Sequence, residues 1–393
     1  MAAISLVFAA VPSFAQQNNV PLQLKGYSKT IPWHGVTNGA TNNEAAAPMN
    51  GTASSSTIPL WQFSINSPID GNTYTGQMVG RSPFFHGART TNIPTIVVPL
   101  IIQMSDGTTF DPTATNSTCT PTGIPLTLFN NSPIFQSASF TFGGTNAGTG
   151  QYVDVFQRAN FWTNVNVTGS RYHTALAPVT TLAAVTINVP SNEGQAFSVS
   201  ACGHSGKLGV VNVDWLDNYI SGSNGLISRL GGTGSSHINP TTFPIFLMWD
   251  VVMSWSTPPS LNACCYLGYH SSANSPVQTY ATLEFDTTGV FPGVSDASVA
   301  AHEVGEWMDD PDGSNPTPAW GHVGQVSSCQ NNLEDGDPLS GTPNITKKMS
   351  NNVTYNLQEL AFYSWFFRQN PSLGVNGWFS DNGTFTTDAG PVC

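Results

Sequence analysis

The strongest constraint on this chain is a cluster of acidic residues in a region that has no basic residue. Lysine and arginine are absent between Arg229 and Lys347, and eight of the 23 aspartates and glutamates fall within 302–337. Carboxylates that lie close together repel one another unless protons or cations compensate their charge. Because the neighbouring sequence supplies no cation, a fold that packs these residues together is expected to bind a metal ion. The eight residues are Glu303, Glu306, Asp309, Asp310, Asp312, Glu334, Asp335 and Asp337.

A short motif at the start of this region, His302-Glu303-Val304-Gly305-Glu306, indicates the chemistry of the site. It differs by one residue from His-Glu-x-x-His, the helix motif of zinc peptidases. On a helix with about 100° per residue, His302 and Glu306 lie opposite an apolar face and Glu303 lies beside them. This arrangement predicts His302 and Glu306 as metal ligands and Glu303 as the base that acts on water. The alternative is an exposed acidic helix face that binds nothing.

A third ligand is expected from a segment after the helix, because catalytic zinc sites hold three protein ligands and leave a position for water. Glu334 is the preferred candidate, in the acidic segment 332–338. Asp337 and Asp312 are alternatives, and His322 is a further candidate as a ligand or as a neighbour of one. One histidine with two carboxylates is a set rich in oxygen, so Zn²⁺ is expected while Mn²⁺ or Ca²⁺ stays open.

Other kinds of hydrolase chemistry have weaker support in the sequence. There is no Gly-x-Ser-x-Gly motif, which argues against a serine hydrolase. A glycosidase needs only two carboxylates at a suitable distance, and almost any acidic cluster meets that condition. His270 follows a predicted strand and could flank the cleft, but it lies outside the ligand spacing and is interpreted as a structural histidine.

The overall charge limits the partners of this protein. Charged residues make up 9% of the chain and the net charge is −12. Neutralising phosphates requires clustered lysine and arginine, so the eleven scattered basic residues argue against binding to nucleic acid. After the N-terminus no segment approaches the roughly 20 apolar residues of a membrane helix, so no membrane insertion is expected. The oligomeric state is left open.

The N-terminus and the cysteines both predict export. Residues 1–15 are interpreted as a signal peptide, because an apolar run is followed by small residues at Ser13 and Ala15, although the usual basic start is missing. Six cysteines suit an oxidising compartment and up to three disulfides. The adjacent Cys264 and Cys265 are expected to pair with different partners. The protein is therefore predicted to be secreted or periplasmic.

The pattern of apolar residues predicts an α+β fold in several parts. A low-complexity lead-in at 16–60 precedes a β-rich N-terminal lobe at 61–205 and a metal-binding lobe at 206–393, in which the motif helix lies next to a mixed sheet. Strands are predicted at 93–102, 138–142, 182–189, 209–213, 243–249 and 277–285, and helices at 151–161, 218–230 and 357–367. Pro94 and Pro99 predict an edge position or a bulge for the first strand.

The acidic region also resembles a known group of sequences. HEVGEWMDDP at 302–311 and LEDGDP at 333–338 resemble the His-Glu-x-x-Glu…Glu-x-x-Asp pattern of plant phosphate-induced (Exordium-like) secreted proteins. They are also similar to uncharacterised bacterial exported proteins with zinc-metallopeptidase-like sequences. The resemblance covers less than a fifth of the chain. It implies a zincin-like fold for the metal-binding lobe, with His302, Glu306 and Glu334 as ligands and Glu303 as base. The cysteine that follows Glu-x-x-Asp in the plant pattern is absent here, so no disulfide pattern carries over.

These observations predict a secreted zinc-dependent metallohydrolase. The expected activity is that of a metallopeptidase on peptide or protein substrates, with metal-activated water and Glu303 as general base. The alternative is a non-catalytic extracellular protein that keeps the ion for structure or binds cell-wall polysaccharide. Its support in the sequence is the number of aromatic residues, which include ten tryptophans and ten tyrosines.

Overall fold

The structure, a computed structural model, describes residues 27–28, 56–85, 89–200, 202, 206–274, 276–324, 329–391 and 393. The predicted signal peptide at 1–15 lies outside these residues, and so does the lead-in except for 27–28 and 56–60. The fold of the described residues is mixed α+β, as the sequence predicts.

The strands are numbered in chain order. They are β1 (Tyr27–Ser28), β2 (Leu60–Asn66), β3 (Thr73–Val79), β4 (Thr91–Gln103), β5 (Thr109–Phe110), β6 (Ala138–Phe142), β7 (Thr145–Gly150), β8 (Thr174–Thr181), β9 (Val185–Asn188), β10 (Gly194–Ser198), β11 (Lys207–Asn212), β12 (Phe243–Trp249), β13 (Val251–Ser254), β14 (Cys264–Ala273), β15 (Gln278–Phe285), β16 (Pro316–Trp320), β17 (Gln330–Asn332), β18 (Ile345–Lys348) and β19 (Thr354–Leu357). The helices are α1 (Pro125–Asn130), α2 (Tyr152–Asn160), α3 (Trp162–Val165), α4 (Val213–Ser221), α5 (Leu226–Arg229), α6 (Ser298–Asp309) and α7 (Tyr363–Phe366), with short 3₁₀ turns at Leu261–Ala263, Asp337–Leu339 and Val375–Gly377.

A mixed sheet of eleven strands organises the fold. Its main order is β10-β11-β13-β14-β15-β12-β4-β5, while β1 pairs with β14, and β8 and β9 both pair with β4. The parallel pairing of β4 with β12 joins strands from before and after residue 205. The predicted boundary between residues 205 and 206 therefore falls within one sheet. The division into two lobes stays a prediction from composition. The large sheet contains strands from both predicted lobes.

The two prolines of β4 occupy an interior strand, so the predicted edge position is wrong and the predicted irregularity is confirmed. β4 pairs with β12 on one side and with β8 and β9 on the other. The register against β8 shifts between Ile93 and Thr95, where Pro94 lies. Pro99 falls between the end of the β8 pairing at Val97 and the start of the β9 pairing at Leu100. Each proline lacks an N–H to donate, and each lies where the neighbouring ladder is interrupted.

The sheet separates two apolar layers, and α6 packs on one of them. Ala281 and Leu283 of β15 share a core cluster with Val304 and Trp307 of α6. Tyr280 of β15 belongs to the cluster on the opposite face, which also contains residues of α4. Trp307 anchors the helix, because its ring stacks on a phenylalanine of β12 at 3.6 Å between centroids and its indole N–H bonds to a threonine of β15. Truncating so large a buried side chain to alanine typically costs about 3–5 kcal/mol of stability.

Most predicted elements are present, and the differences have physical reasons. The strands at 138–142 and 243–249 and the helix at 151–161 are confirmed within about one residue. The helix predicted at 218–230 begins earlier as α4, where the Asn212 side chain caps the N–H of Trp215, and it is interrupted before α5. The buried helix predicted at 357–367 is wrong for most of its length, because only Tyr363–Phe366 is helical. Burial on all sides does not distinguish a helix from an irregular segment packed between layers.

Three disulfides are present in the described residues, as predicted. They join Cys119 to Cys202, Cys264 to Cys265 and Cys329 to Cys393. The expectation that the adjacent cysteines have different partners is wrong, because the other four cysteines pair among themselves. Among the residues that the structure describes, no helix is long and apolar enough to cross a membrane. The disulfides are compatible with an exported protein.

Candidate metal centre

The helix α6 carries the His-Glu-x-x-Glu motif, as the sequence predicts. Every residue of this helix is buried, including the polar ones. His302 is 4% exposed, Glu303 1% and Glu306 0%. The alternative of a solvent-exposed acidic helix face is therefore excluded, and the charges on this face need compensation inside the protein.

His302, Glu306 and Asp337 form the first of two groups that can hold a metal ion. The Nε2 atom of His302 lies 2.8 Å from Oε1 of Glu306 and 3.4 Å from Oδ1 of Asp337. Ligand atoms that bind one zinc ion tetrahedrally at 2.0–2.2 Å are separated by about 3.3–3.6 Å. Glu306 Oε1 and Asp337 Oδ1 thus both face His302 Nε2, and the three buried atoms are directed at a shared position.

Gln358 sets the orientation of the His302 ring. The Nδ1 atom of His302 lies 2.9 Å from the side-chain carbonyl of Gln358, whose amide nitrogen donates to the carbonyl of Gly336. Because the amide nitrogen of Gln358 bonds to Gly336, its carbonyl oxygen faces His302. A carbonyl oxygen only accepts hydrogen bonds, so Nδ1 of His302 is the donor. The lone pair of neutral His302 is therefore on Nε2, the atom that faces Glu306 and Asp337.

The segment that contains Asp337 is held against α6 by its backbone. The N–H groups of Gly336 and Asp337 both donate to Oε1 of Glu306 at 3.2 Å. A Cβ atom on Gly336 would come within 2.4 Å of Nδ1 of His302, so only glycine allows this close approach. Oδ2 of Asp337 accepts a hydrogen bond from Gln330, which leaves Oδ1 to face His302.

His270, Glu303 and Glu306 form the second group. The Nδ1 atom of His270 lies 3.4 Å from Oε2 of Glu303 and 3.7 Å from Oε2 of Glu306. His270 belongs to β14, and its side chain is completely buried. Gly268, two residues earlier on the same strand, also faces α6, since a Cβ atom there would lie 2.8 Å from Glu303.

The other predicted ligands lie outside the group around His302. Glu334 is buried beside His270, with Oε2 at 3.8 Å from the Nε2 atom of that ring, and Oε1 accepts from Asn332. Asp312 is partly exposed and accepts a hydrogen bond from Ser314. His322 contacts Gln330, the residue that binds Asp337, so it adjoins a ligand candidate without facing the centre.

Burial and mutual repulsion shape the protonation of these groups. Burial raises the pKa of Glu306 to about 7, although the positive charge on protonated His302 opposes the shift. Burial and the charge of Glu306 raise the pKa of Glu334 well above its usual value. Burial acts against the charged form of His302, but Glu306 and Asp337 outweigh it and raise its pKa well above the usual range. Burial also favours the neutral form of Asp337, but the hydrogen bond and charge of His302 outweigh it and lower its pKa. Without a metal ion, protons held by His302 and Glu334 therefore compensate part of the negative charge.

A narrow cleft, open to solvent, borders the polar face of α6 and is lined by both polar and apolar side chains. His302, Glu303 and Gln358 supply the polar part, while Leu267 and Val299 are among the apolar residues.

Sequence reasoning preferred a structural role for His270, which contacts the site, and it did not single out Gln358. His270 is 33 residues before Glu303, and its signal is the two-residue alternation with Gly268 on a strand that packs against the motif helix. Gln358 lies in a segment predicted as a featureless buried helix. Comparisons of this chain with families of related proteins, with curated proteins and with solved structures find no match.

Proposed function

We propose that this protein is a metal-dependent hydrolase of the metallopeptidase type. His302, Glu306 and Asp337 hold a divalent transition-metal ion, and Glu303 is the general base. The observation that carries the proposal is the convergence of three buried ligand atoms, since His302 Nε2 lies 2.8 Å from Glu306 Oε1 and 3.4 Å from Asp337 Oδ1. Buried charged groups that face one another need a proton or a cation between them, and a divalent ion meets that need.

The donor set suits Zn²⁺ or Mn²⁺. Imidazole nitrogen and carboxylate oxygen are ordinary ligands of both ions, and the shared position is compact enough for first-row transition metals. Asp337, an alternative in the sequence analysis, takes the place of Glu334 as third ligand in this proposal. Glu334 stays a hypothesis for a ligand, because its buried carboxylate lies on the far side of Glu306, beside His270.

The residues of the cleft have separate roles in peptide hydrolysis. When bound, the ion would polarise the substrate carbonyl and lower the pKa of a water molecule. Glu303 takes a proton from the attacking water as the new C–O bond forms, and it passes that proton to the amine as the C–N bond breaks. Gln358 holds His302 in the tautomer that leaves Nε2 free of a proton. The apolar lining suits the side chain of a peptide residue.

The test is a comparison of Glu303→Gln with wild type. The variant keeps the size of the side chain and removes its basicity, so hydrolysis should fall by at least roughly 10²-fold. The first equivalent of metal should bind as tightly as in wild type, because Glu303 is not one of its ligands. The assay is cleavage of a denatured protein mixture read by mass spectrometry, with elemental analysis for the metal.

Glu193→Gln is the matched control, because Glu193 lies in a turn before β10 and bonds to its neighbour Asn192. It should cleave at the wild-type rate. Equal rates for Glu303→Gln and wild type would falsify the role of Glu303. Protein that holds metal and cleaves nothing would favour the non-catalytic alternative. An aromatic surface for polysaccharide has little support, since Trp255 is the one tryptophan among the described residues that is largely exposed.

A further inference from the structure

We propose that a second divalent cation binds beside the first, held by His270, Glu303 and Glu306. The carboxylate of Glu306 bridges the two positions. This inference rests on the proposed function in one respect, because Glu306 is also a ligand of the first ion. The second position adds His270, a residue of β14, as a ligand from outside the motif helix.

The distances among the three side chains fit one ion. Nδ1 of His270 lies 3.4 Å from Oε2 of Glu303 and 3.7 Å from Oε2 of Glu306. These values are close to the separation of about 3.3–3.6 Å between two ligands of one tetrahedral zinc ion. All three side chains are at most 1% exposed, so the position lies inside the protein and not on a solvated acidic surface.

His270 is oriented as a ligand would be. Its Nε2 atom lies 2.8 Å from the backbone carbonyl of Asp310. A carbonyl oxygen only accepts hydrogen bonds, so Nε2 carries the proton and donates it. The lone pair of the neutral ring is then on Nδ1, which faces Glu303 and Glu306. A hydrogen bond from the far nitrogen to a backbone carbonyl is the usual way in which proteins orient a metal-binding histidine.

The two oxygens of Glu306 address different histidines. Oε1 lies 2.8 Å from Nε2 of His302, and Oε2 lies 3.7 Å from Nδ1 of His270. The backbone N–H groups that bind Oε1 fix the carboxylate in this orientation. A carboxylate placed between two histidines in this way can bind one ion through each oxygen, with the ions about 3.5–4 Å apart.

The charge around the site also fits two cations better than one. Seven carboxylate residues between 303 and 337 are at most 5% exposed: Glu303, Glu306, Asp309, Asp310, Glu334, Asp335 and Asp337. The sequence from 230 to 346 contains no lysine or arginine. One divalent ion compensates two negative charges, and a second ion compensates two more. With the second ion bound, Glu303 is a ligand, so its role as base belongs to the protein with one ion.

The experiment measures how many ions the full mature chain binds. Protein stripped with a chelator is titrated with Mn²⁺, and the bound metal is determined by elemental analysis and by electron paramagnetic resonance. We expect two equivalents in wild type, with the signal of a coupled manganese pair. His270→Ala and the bulkier His270→Gln should each bind one equivalent and give only the uncoupled signal. The exposed His237 provides the control, and His237→Ala should bind two.

The outcomes separate this inference from the proposed function. One equivalent in wild type, lost in His302→Ala, would overturn the second position and leave the proposed function standing. No metal in wild type would overturn both. Two equivalents in a His270 variant with wild-type thermal unfolding would also overturn the inference, because His270 would then be a structural residue.

Discussion

Two groups of buried acids in this protein are compensated in different ways. The group on α6 brings Glu306 and Asp337 against His302, with three ligand atoms directed at one position. The other group consists of Glu359 and Asp381, which are also almost fully buried. Their difference lies in the donors around each carboxylate.

Glu359 and Asp381 are satisfied by neutral donors. Glu359 accepts hydrogen bonds from the hydroxyl of Ser380 and from both the N–H and the hydroxyl of Thr384. Asp381 accepts from the N–H of Leu360 and the hydroxyl of Tyr152. Each of the four oxygens has a donor, and no position remains where several lone pairs converge.

This comparison shows that burial and negative charge do not identify a metal site. A buried carboxylate with a full set of donors is a structural feature that ties segments together. Convergence of histidine and carboxylate lone pairs on one position is what distinguishes the α6 group. The following predictions test that distinction, beginning with the largest expected effect.

The largest contrast should be between His302→Ala and Glu359→Gln. Removing His302 takes away the only nitrogen ligand of the first position, so we expect its affinity for Zn²⁺ to fall by more than the roughly 100-fold seen for changes next to a ligand. Glu359→Gln should bind zinc like wild type and should lose stability instead. Elemental analysis measures the bound zinc, and thermal unfolding measures the stability. Loss of zinc in Glu359→Gln would contradict the division between the two groups.

A smaller effect is expected from Gln358→Leu, which keeps the approximate size and removes the acceptor of the His302 N–H. The ring then has no fixed tautomer, and zinc affinity should fall by roughly 10–100-fold. Competition with a chelating dye measures the dissociation constant. Gln195→Leu, at an exposed position of β10, is the control. Unchanged affinity in Gln358→Leu would show that Gln358 does not orient the ligand.

The smallest effect concerns pH and the metal-free protein. Burial raises the folded-state pKa of Asp309 and of Asp310 to about 7, from ordinary values near 4. A raised pKa means that the folded state binds the proton more tightly, so this stability is present at low pH and is lost as pH rises through about 7. We expect the melting temperature of chelated protein to fall between pH 5 and pH 8.

Added zinc should reduce this fall, because the positive charge of the ion favours the ionised forms of the buried carboxylates around it. At about 100 times the dissociation constant, binding to the folded state alone contributes about 2.7 kcal/mol. Differential scanning calorimetry at both pH values, with and without metal, measures the two effects. A melting temperature of the chelated protein that rises with pH would show that these acids are ionised in the folded state.

Local sequence determined the motif helix and the side on which its polar residues lie. The period of Ala300, Val304 and Trp307 predicted an apolar face, and the four-residue spacing placed His302 and Glu306 on one side. The absence of lysine and arginine over this region predicted that something other than a salt bridge compensates the acids. These conclusions need only the geometry of a helix and Coulomb repulsion between neighbours.

Tertiary structure decided what meets that helix. Asp337 faces His302 because backbone N–H groups hold its segment on Glu306, and His270 arrives from β14 through the pairing of the large sheet. Such contacts depend on sheet order and on irregular segments, which the period of a single segment does not encode. For the same reason the preference for Glu334 over Asp337 was not decidable from spacing alone. Two acids three residues apart in a loop differ in position only after the loop has packed.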